Sequence, residues 1–160
     1  MKTALVFLAA VLGVNVVSSG ENHLLHTFQK TQITDKFWGE GATFGDLNRD
    51  GKPDLVYGPH WYAGPAFTER HEIYPAKPQN RKGYADNFFN WIYDFTGDGW
   101  NDILVVGLPG TPAFIFENPR GDNLDQAWKK HNVFPAVGNE APHFVNLTGD
   151  AQPELVCTFK

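Results

Sequence analysis

The stretch Asp46-Leu-Asn-Arg-Asp-Gly-Lys-Pro-Asp54 decides how the rest of the chain is interpreted. Carboxylates occupy its first, fifth and ninth positions, an amide oxygen the third, and a glycine the sixth. Calcium is a hard cation that takes six to eight oxygen ligands at about 2.3–2.6 Å. Glycine permits the sharp turn because it tolerates positive φ, and three carboxylates so close together repel one another unless a cation lies between them. We therefore interpret the stretch as a calcium-binding loop, completed by the carbonyl of Lys52.

The same loop returns twice further along the chain. We name the three copies loop 1 (46–54), loop 2 (94–102) and loop 3 (146–154). Loop 2 keeps the spacing with Thr96 at position 3, whereas loop 3 has lost one carboxylate and the glycine. The loops start at 46, 94 and 146, which is 48 and then 52 residues apart. A period near 50 residues is typical of β-propeller blades rather than of helical repeats.

An EF-hand is the first alternative, and the sequence excludes it. An EF-hand loop needs a bidentate glutamate at position 12 and a helix on each side. Position 12 is Tyr57, Val105 and Cys157 in the three loops. The residues that follow each loop are largely β-branched or apolar, so they predict short strands.

A second repeated element supports the period. The basic-polar-apolar stretches Lys30–Ile33, Arg70–Ile73 and Lys130–Val133 precede the three loops in order, and we expect each to form an outer strand. The middle repeat also carries a polar insertion at Pro78–Tyr84. Four short strands in each unit of about 50 residues match a propeller blade. The sequence therefore predicts an all-β fold of about two and a half four-stranded antiparallel blades.

The N-terminal residues indicate export. Residues 1–20 combine a lysine, an apolar run and a Ser-Ser-Gly ending, which is a signal-peptide pattern, and the run is too short to span a membrane. We expect residues 21–160 to form the exported propeller segment, secreted, periplasmic or at the cell surface. The single cysteine, Cys157, cannot form an internal disulfide. A formal net charge of −5 does not favour nucleic acid as a partner.

The loops, their apolar flanks and Phe44-Gly45 before loop 1 resemble FG-GAP/VCBS repeats, the calcium-loop blades of integrin-type β-propellers. Glu40–Asp46 and Gly58–Pro65 are also similar to FG-GAP proteins exported by bacteria. The resemblance implies that calcium is bound by loop positions 1, 3, 5 and 9 and by the carbonyl of position 7. The implied ligands are Asp46, Asn48, Asp50, Lys52 and Asp54 in loop 1; Asp94, Thr96, Asp98, Trp100 and Asp102 in loop 2; and Asn146, Thr148, Asp150 and Glu154 in loop 3. Loop 3 departs from the family pattern, which leaves its metal open.

Binding is the function that the family implies, through proteins in adhesion or through carbohydrates. The sequence shows no nucleophile–base pair and no phosphate-binding glycine loop, so we expect no catalytic residues. The alternative is a non-catalytic scaffold portion of a larger secreted enzyme. Two and a half blades do not close a propeller, so we expect either a longer protein or copies that assemble to close the ring.

The five tryptophans are candidates for stacking on sugar rings. Large aromatic side chains also dominate buried area, and we expect Trp61 and Trp91, in apolar strand contexts, to be packed. Trp100 differs because it stands at loop position 7, where the carbonyl faces calcium. Its side chain is expected to face solvent and to be available to a ligand.

Overall fold

The computed structural model describes residues 27–159, and its regular structure is almost wholly β. Within that range, ten strands form three antiparallel sheets, accompanied by one short 3-10 helix at Gly121–Asn123. All ten strands lie in one compact unit that begins at Gln32. The all-β class predicted from the sequence is confirmed.

Each sheet follows the chain in an up-and-down order. The first sheet contains β1 (Ala42–Gly45), β2 (Asp54–Tyr57), β3 (His60–Tyr62) and β4 (Arg70–Glu72). The second contains β5 (Phe89–Tyr93), β6 (Asp102–Val106), β7 (Thr111–Glu117) and β8 (Lys129–Val137). The third contains β9 (His143–Val145) and β10 (Glu154–Val156). Loops 1, 2 and 3 each connect the first strand of a sheet to its second.

The middle strand β6 is buried along its whole length. Ile103 and Val105 belong to an apolar cluster shared with the first sheet, which includes Val56 and Trp61. Their neighbours Leu104 and Val106 belong to a second cluster that takes in side chains of the third sheet. Because successive side chains of a strand point to opposite faces, the second sheet is covered on both sides by its sequence neighbours.

The first strands of the two larger sheets, β1 and β5, lie side by side. Gly45 makes this approach possible, because a Cβ there would stand 2.8 Å from the Ile92 side chain. A distance that short forces a shift, so a larger residue would push β5 away. The glycine of the Phe44-Gly45 pair is therefore required by packing between the first two sheets.

The repeated outer strand is only partly as predicted. Strand β4 (Arg70–Glu72) covers three of the four residues of the second copy, and β8 (Lys129–Val137) contains the third copy in full. The prediction for Lys30–Ile33 is wrong, because that segment forms no strand. A strand needs a hydrogen-bonded neighbour, and no strand of the described range pairs with residues 30–33. The expected signal peptide lies outside the described residues. No helix in the described range is long and apolar enough to cross a membrane.

Candidate metal sites

Loop 1 is a tight turn closed by its own acidic side chains. Asp46 accepts backbone hydrogen bonds from Asp50 (3.2 Å) and Gly51 (2.9 Å). Asn48 accepts from Asp50 N at 3.0 Å, and Asp50 accepts from Lys52 N at 2.8 Å. Gly51 has φ 81, the left-handed conformation that the motif requires of position 6. The chain direction thus reverses around the oxygen atoms predicted to bind calcium.

Asp54, at position 9, is fully buried. Its Oδ2 accepts from Leu47 N (2.8 Å) and its Oδ1 from Gly64 N (2.9 Å). Burial raises the pKa of this carboxyl, the two backbone hydrogen bonds lower it, and the charges of Asp50 and Asp46 raise it again. A buried carboxylate whose charged neighbours are also carboxylates is stabilised by a nearby cation.

Loop 2 repeats this geometry closely. Asp94 accepts hydrogen bonds from three consecutive backbone N–H groups, at 2.8 to 3.1 Å, and Gly99 has φ 88. Asp102 is fully buried and accepts from Thr96 N (3.0 Å) and Asn118 N (2.8 Å). Burial raises its pKa, and the charge of Asp98 adds to that increase. The two loops therefore place equivalent carboxylates in equivalent environments.

Loop 2 differs from loop 1 in the positively charged side chain that lies beside its position-5 carboxylate. Arg120 Nε lies 2.9 Å from the buried Asp98 Oδ2, in an ion contact that lacks hydrogen-bond geometry. In loop 1 the corresponding oxygen of Asp50 has Lys52 Nζ at 4.0 Å, and both side chains are more exposed. A guanidinium that close partly neutralises Asp98 and competes with a metal ion for it.

Loop 3 keeps the bond from the position-2 N–H to the position-9 carboxylate that loop 1 has, and it adds side-chain donors of its own. The Thr148 hydroxyl donates to Glu154 Oε1 (2.7 Å), and Leu147 N donates to Glu154 Oε2 (2.7 Å). These bonds lower the pKa of Glu154, with the Leu147 bond the largest cause. The Asn146 amide donates to the carbonyl of Asp150. Asn146, which stands in place of the position-1 carboxylate, and Thr148 thus supply donors that tie the turn together.

The donor set of loops 1 and 2 fits calcium in chemistry. Every predicted ligand atom is an oxygen, and each carboxylate has about four lone-pair sites, which leaves acceptor capacity beyond the hydrogen bonds described above. Within residues 27–159, however, no three His, Cys, Asp or Glu side chains are grouped as closely as a metal site requires. The predicted coordination also uses Asn48, Thr96 and the carbonyls of Lys52 and Trp100. Calcium binding by these loops stays a prediction.

Trp100 does not stand free in solvent as expected. Its ring is half-buried, with the Arg49 guanidinium 5.3 Å from the ring centroid. Arg49 belongs to loop 1, so this contact joins loops 1 and 2. Trp61 is 2% exposed within the first apolar cluster, and its predicted packing role is confirmed. Trp91 is half-buried and packs against the second cluster.

Two histidines have carboxylate partners that the sequence did not reveal. His71 Nδ1 lies 2.5 Å from Asp125 Oδ1, and His131 Nε2 lies 2.7 Å from Glu117 Oε2. The two histidines lie in the fourth strands of the two larger sheets, β4 and β8, which points to a shared structural role. The only hint of these pairs in the sequence was the matching position of the two histidines. The acids could not be paired with them from the sequence, because they lie 54 and 14 positions away.

Comparison of the chain with models of known protein families, with curated proteins and with solved structures finds no match.

Proposed function

We propose that this chain is a calcium-stabilised β-propeller segment of the FG-GAP/VCBS kind that serves as a binding module for an extracellular protein or glycan. In this proposal loops 1 and 2 each hold one calcium ion and loop 3 holds none. Asp46, Asp50 and Asp54 supply the carboxylates of the first site, and Asp94, Asp98 and Asp102 supply those of the second.

One observation supports the proposal above the others: the same acidic loop joins the first two strands of each of three stacked sheets. Blades of a propeller are four-stranded antiparallel sheets with chain-order strands, and both larger sheets have that order. The two-sided burial of β6 and the adjacency of β1 and β5 suit blades packed face to face with their first strands innermost.

Calcium would act here as a structural clamp. In each loop it would neutralise carboxylates that otherwise repel one another, including the fully buried Asp54 and Asp102. The binding role is inferred from the family resemblance. The side chains of the loops are already used to hold the turns. A ligand is therefore to be sought on surfaces outside the loops.

Isothermal titration of the metal-free chain with calcium tests the structural part of the proposal. We expect two ions per chain, and a stoichiometry of zero would reject the calcium assignment. An array of glycans, probed in calcium and again in a chelator, tests the binding role. Calcium-dependent retention on a glycan supports it. Absence of any retained glycan, together with no extracellular protein captured, would contradict it.

A further inference from the structure

The connection that leads into loop 2 is longer than its equivalents. From Ile73 to the start of loop 2 the chain takes 21 residues, whereas the corresponding stretches before loops 1 and 3 take 13. The additional residues centre on Pro78–Tyr84. Since the other repeats form their loops without them, this insertion is not needed for the repeat itself. Insertions in repeat proteins map to loops on one face, which is often the binding face.

The insertion is anchored to the segment that precedes β1. Its hydrogen bonds run from Gln79 N to Phe37 O (2.7 Å), from Arg81 Nη2 to Asp35 O, and from Ala85 N to Glu40 Oε1 (3.3 Å). Both main-chain and side-chain groups take part, so the insertion is positioned at several points along its length. Its polar side chains are thereby presented on a defined surface.

Between the insertion and this segment lies a cavity of about 470 Å³. That volume is within the range of small-molecule sites, about 300–1,000 Å³. The side chains that line it and bear on recognition are Lys36, Phe37, Glu40, Tyr57, Arg81 and Tyr84. Three of these six are aromatic, two are cationic and one is a carboxylate.

The charges of the cavity favour a ligand with one negative charge. Lys36 Nζ lies 3.8 Å from Asp35 Oδ2, which offsets its charge. Arg81 is therefore the cation that the lining offers to an anion, and it acts beside the carboxylate of Glu40. An arginine fork can hold a carboxylate through two parallel hydrogen bonds. Glu40 would repel a dianion such as a phosphate monoester more strongly than it repels a monoanion.

The other side chains suit a ring that carries hydroxyl groups. Tyr84 is 70% exposed, and its ring packs edge-on against Phe88 with the ring centroids 5.6 Å apart. It therefore offers an apolar surface that the contact with Phe88 holds in place. Glu40 accepts one backbone hydrogen bond through Oε1, and a carboxylate has about four acceptor sites. Glu40 can therefore accept further hydrogen bonds from sugar hydroxyls while an aromatic face covers the C–H side of the ring.

We propose that this cavity binds an acidic sugar, a pyranose ring that carries a single carboxylate, with Arg81 holding the carboxylate and Tyr84 covering the ring. The assignment rests on the proposed binding role and gives it a ligand class. Uronic acids and sialic acids share this chemistry.

NMR titration of the calcium-loaded chain tests the assignment. The probes are glucuronate, N-acetylneuraminate, glucose as the neutral ring and glucose 6-phosphate as the dianion. We expect one or both carboxylate sugars to shift the amide resonances of residues 36–40 and 81–84, and to bind at least about tenfold more tightly than glucose, since a charged hydrogen-bonded pair supplies that factor. A glutamate-rich peptide tests whether carboxylates alone suffice.

Variants locate the site. Arg81→Ala and Tyr84→Ala are each expected to weaken carboxylate-sugar binding about tenfold, whereas Lys82→Ala, in the same insertion but outside the cavity lining, leaves it unchanged. Arg81→Lys keeps the charge without the fork and is expected to bind less well than the native chain. Melting temperatures of all variants are measured in parallel, so that a folding defect is recognised.

The outcomes separate this inference from the proposed function. Equal binding of glucose and glucuronate, tighter binding of the phosphate or the peptide, or no effect of Arg81→Ala in a folded chain overturns the cavity assignment. No binding of either acidic sugar to a chain that calcium stabilises also overturns it, and leaves the calcium-loop proposal standing. A chain that calcium does not stabilise refutes the proposed function, whatever the sugars do.

Discussion

Asn118 Nδ2 donates a hydrogen bond to the carbonyl oxygen of Leu47 over 2.9 Å, and so ties the residue after β7 to loop 1. The same amide nitrogen donates to Asn101 O at 2.9 Å. The backbone N–H of Asn118 donates to Asp102 Oδ1 at 2.8 Å. This single buried residue therefore holds groups from both loops, and it couples the two sheets at their acidic ends.

Replacement of Asn118 by alanine should be strongly destabilising. The carbonyls of Leu47 and Asn101 lose a shared donor, and an unsatisfied buried polar group costs about 1–3 kcal/mol. We expect Asn118→Ala to lower the free energy of unfolding by about 2 kcal/mol or more, measured by urea denaturation. Asn123→Ala, in the exposed 3-10 helix, is the matched control and should change it by less than about 0.5 kcal/mol. Equal effects of the two variants would contradict the coupling role.

The three loops should respond differently to loss of the position-5 carboxylate. Asp50→Ala and Asp98→Ala each remove a proposed calcium ligand, so each should lower the measured calcium stoichiometry from two to one. Asp150→Ala is the matched control because it alters the same position of loop 3, and it should leave the stoichiometry unchanged. Loss of one site in Asp150→Ala, with Asp50→Ala unaffected, would show that the sites are assigned to the wrong loops.

Removal of calcium should lower the stability of the whole unit, because the metal binds the folded loops only. One site filled at 100 times its dissociation constant contributes about 2.7 kcal/mol. We expect a chelator to lower the melting temperature in differential scanning calorimetry and added calcium to restore it. Magnesium at the same concentration should restore much less, since it demands a smaller octahedral site and retains its waters. An unchanged melting temperature after chelation would count against metal in either loop.

Local patterns predict the strands beside the loops, because their side-chain types and alternation lie within a few consecutive residues. Ile103–Val106 and Leu55–Tyr57 are examples, and both form strands within one residue of the expected start. The same local reasoning fails at Lys30–Ile33, whose sequence resembles a strand but which has no strand assigned. Whether a segment pairs depends on its neighbours in space, which the segment itself does not specify.

The contacts between sheets could not be predicted from the sequence for a related reason. Asn118 and Leu47 are 71 positions apart, and Asn118 follows a strand as an ordinary turn residue would. In the sequence Arg49 likewise resembles a solvated loop residue, whereas in the structure its guanidinium lies over the ring of Trp100 in loop 2. The acidic loops could be recognised because one nine-residue stretch contains all the proposed ligands, whereas each of these contacts joins residues from two sheets.

Acid should selectively weaken the Glu117–His131 pair. Hydrogen bonds from His131 and then Lys129 lower the pKa of Glu117 from its usual value of 4.5. A carboxyl whose folded-state pKa is depressed adds stability above its unfolded value and loses it as the pH falls through the folded value. Glu117→Gln should therefore lower the free energy of unfolding at pH 7, and this difference should shrink below about pH 4.5. Urea denaturation at both pH values measures it, and a difference that grows in acid would refute the pairing.

Arg49 occupies loop position 4 with φ 61, where loops 2 and 3 have Gly97 and Gly149 at φ 74 and 82. A non-glycine residue pays about 1–2 kcal/mol for this conformation, whereas its contact with the Trp100 ring gains about 0.5–1 kcal/mol at an exposed site. We expect Arg49→Gly to stabilise the Trp100→Ala chain by about 1 kcal/mol or more. In the native chain we expect the stabilisation to be smaller by about 0.5–1 kcal/mol, because the contact with Trp100 is lost. Urea denaturation of the four chains in a double-mutant cycle measures that difference as the coupling energy. Strictly additive effects would show that the guanidinium lies over Trp100 without stabilising it, and that some other contact keeps an arginine at this position.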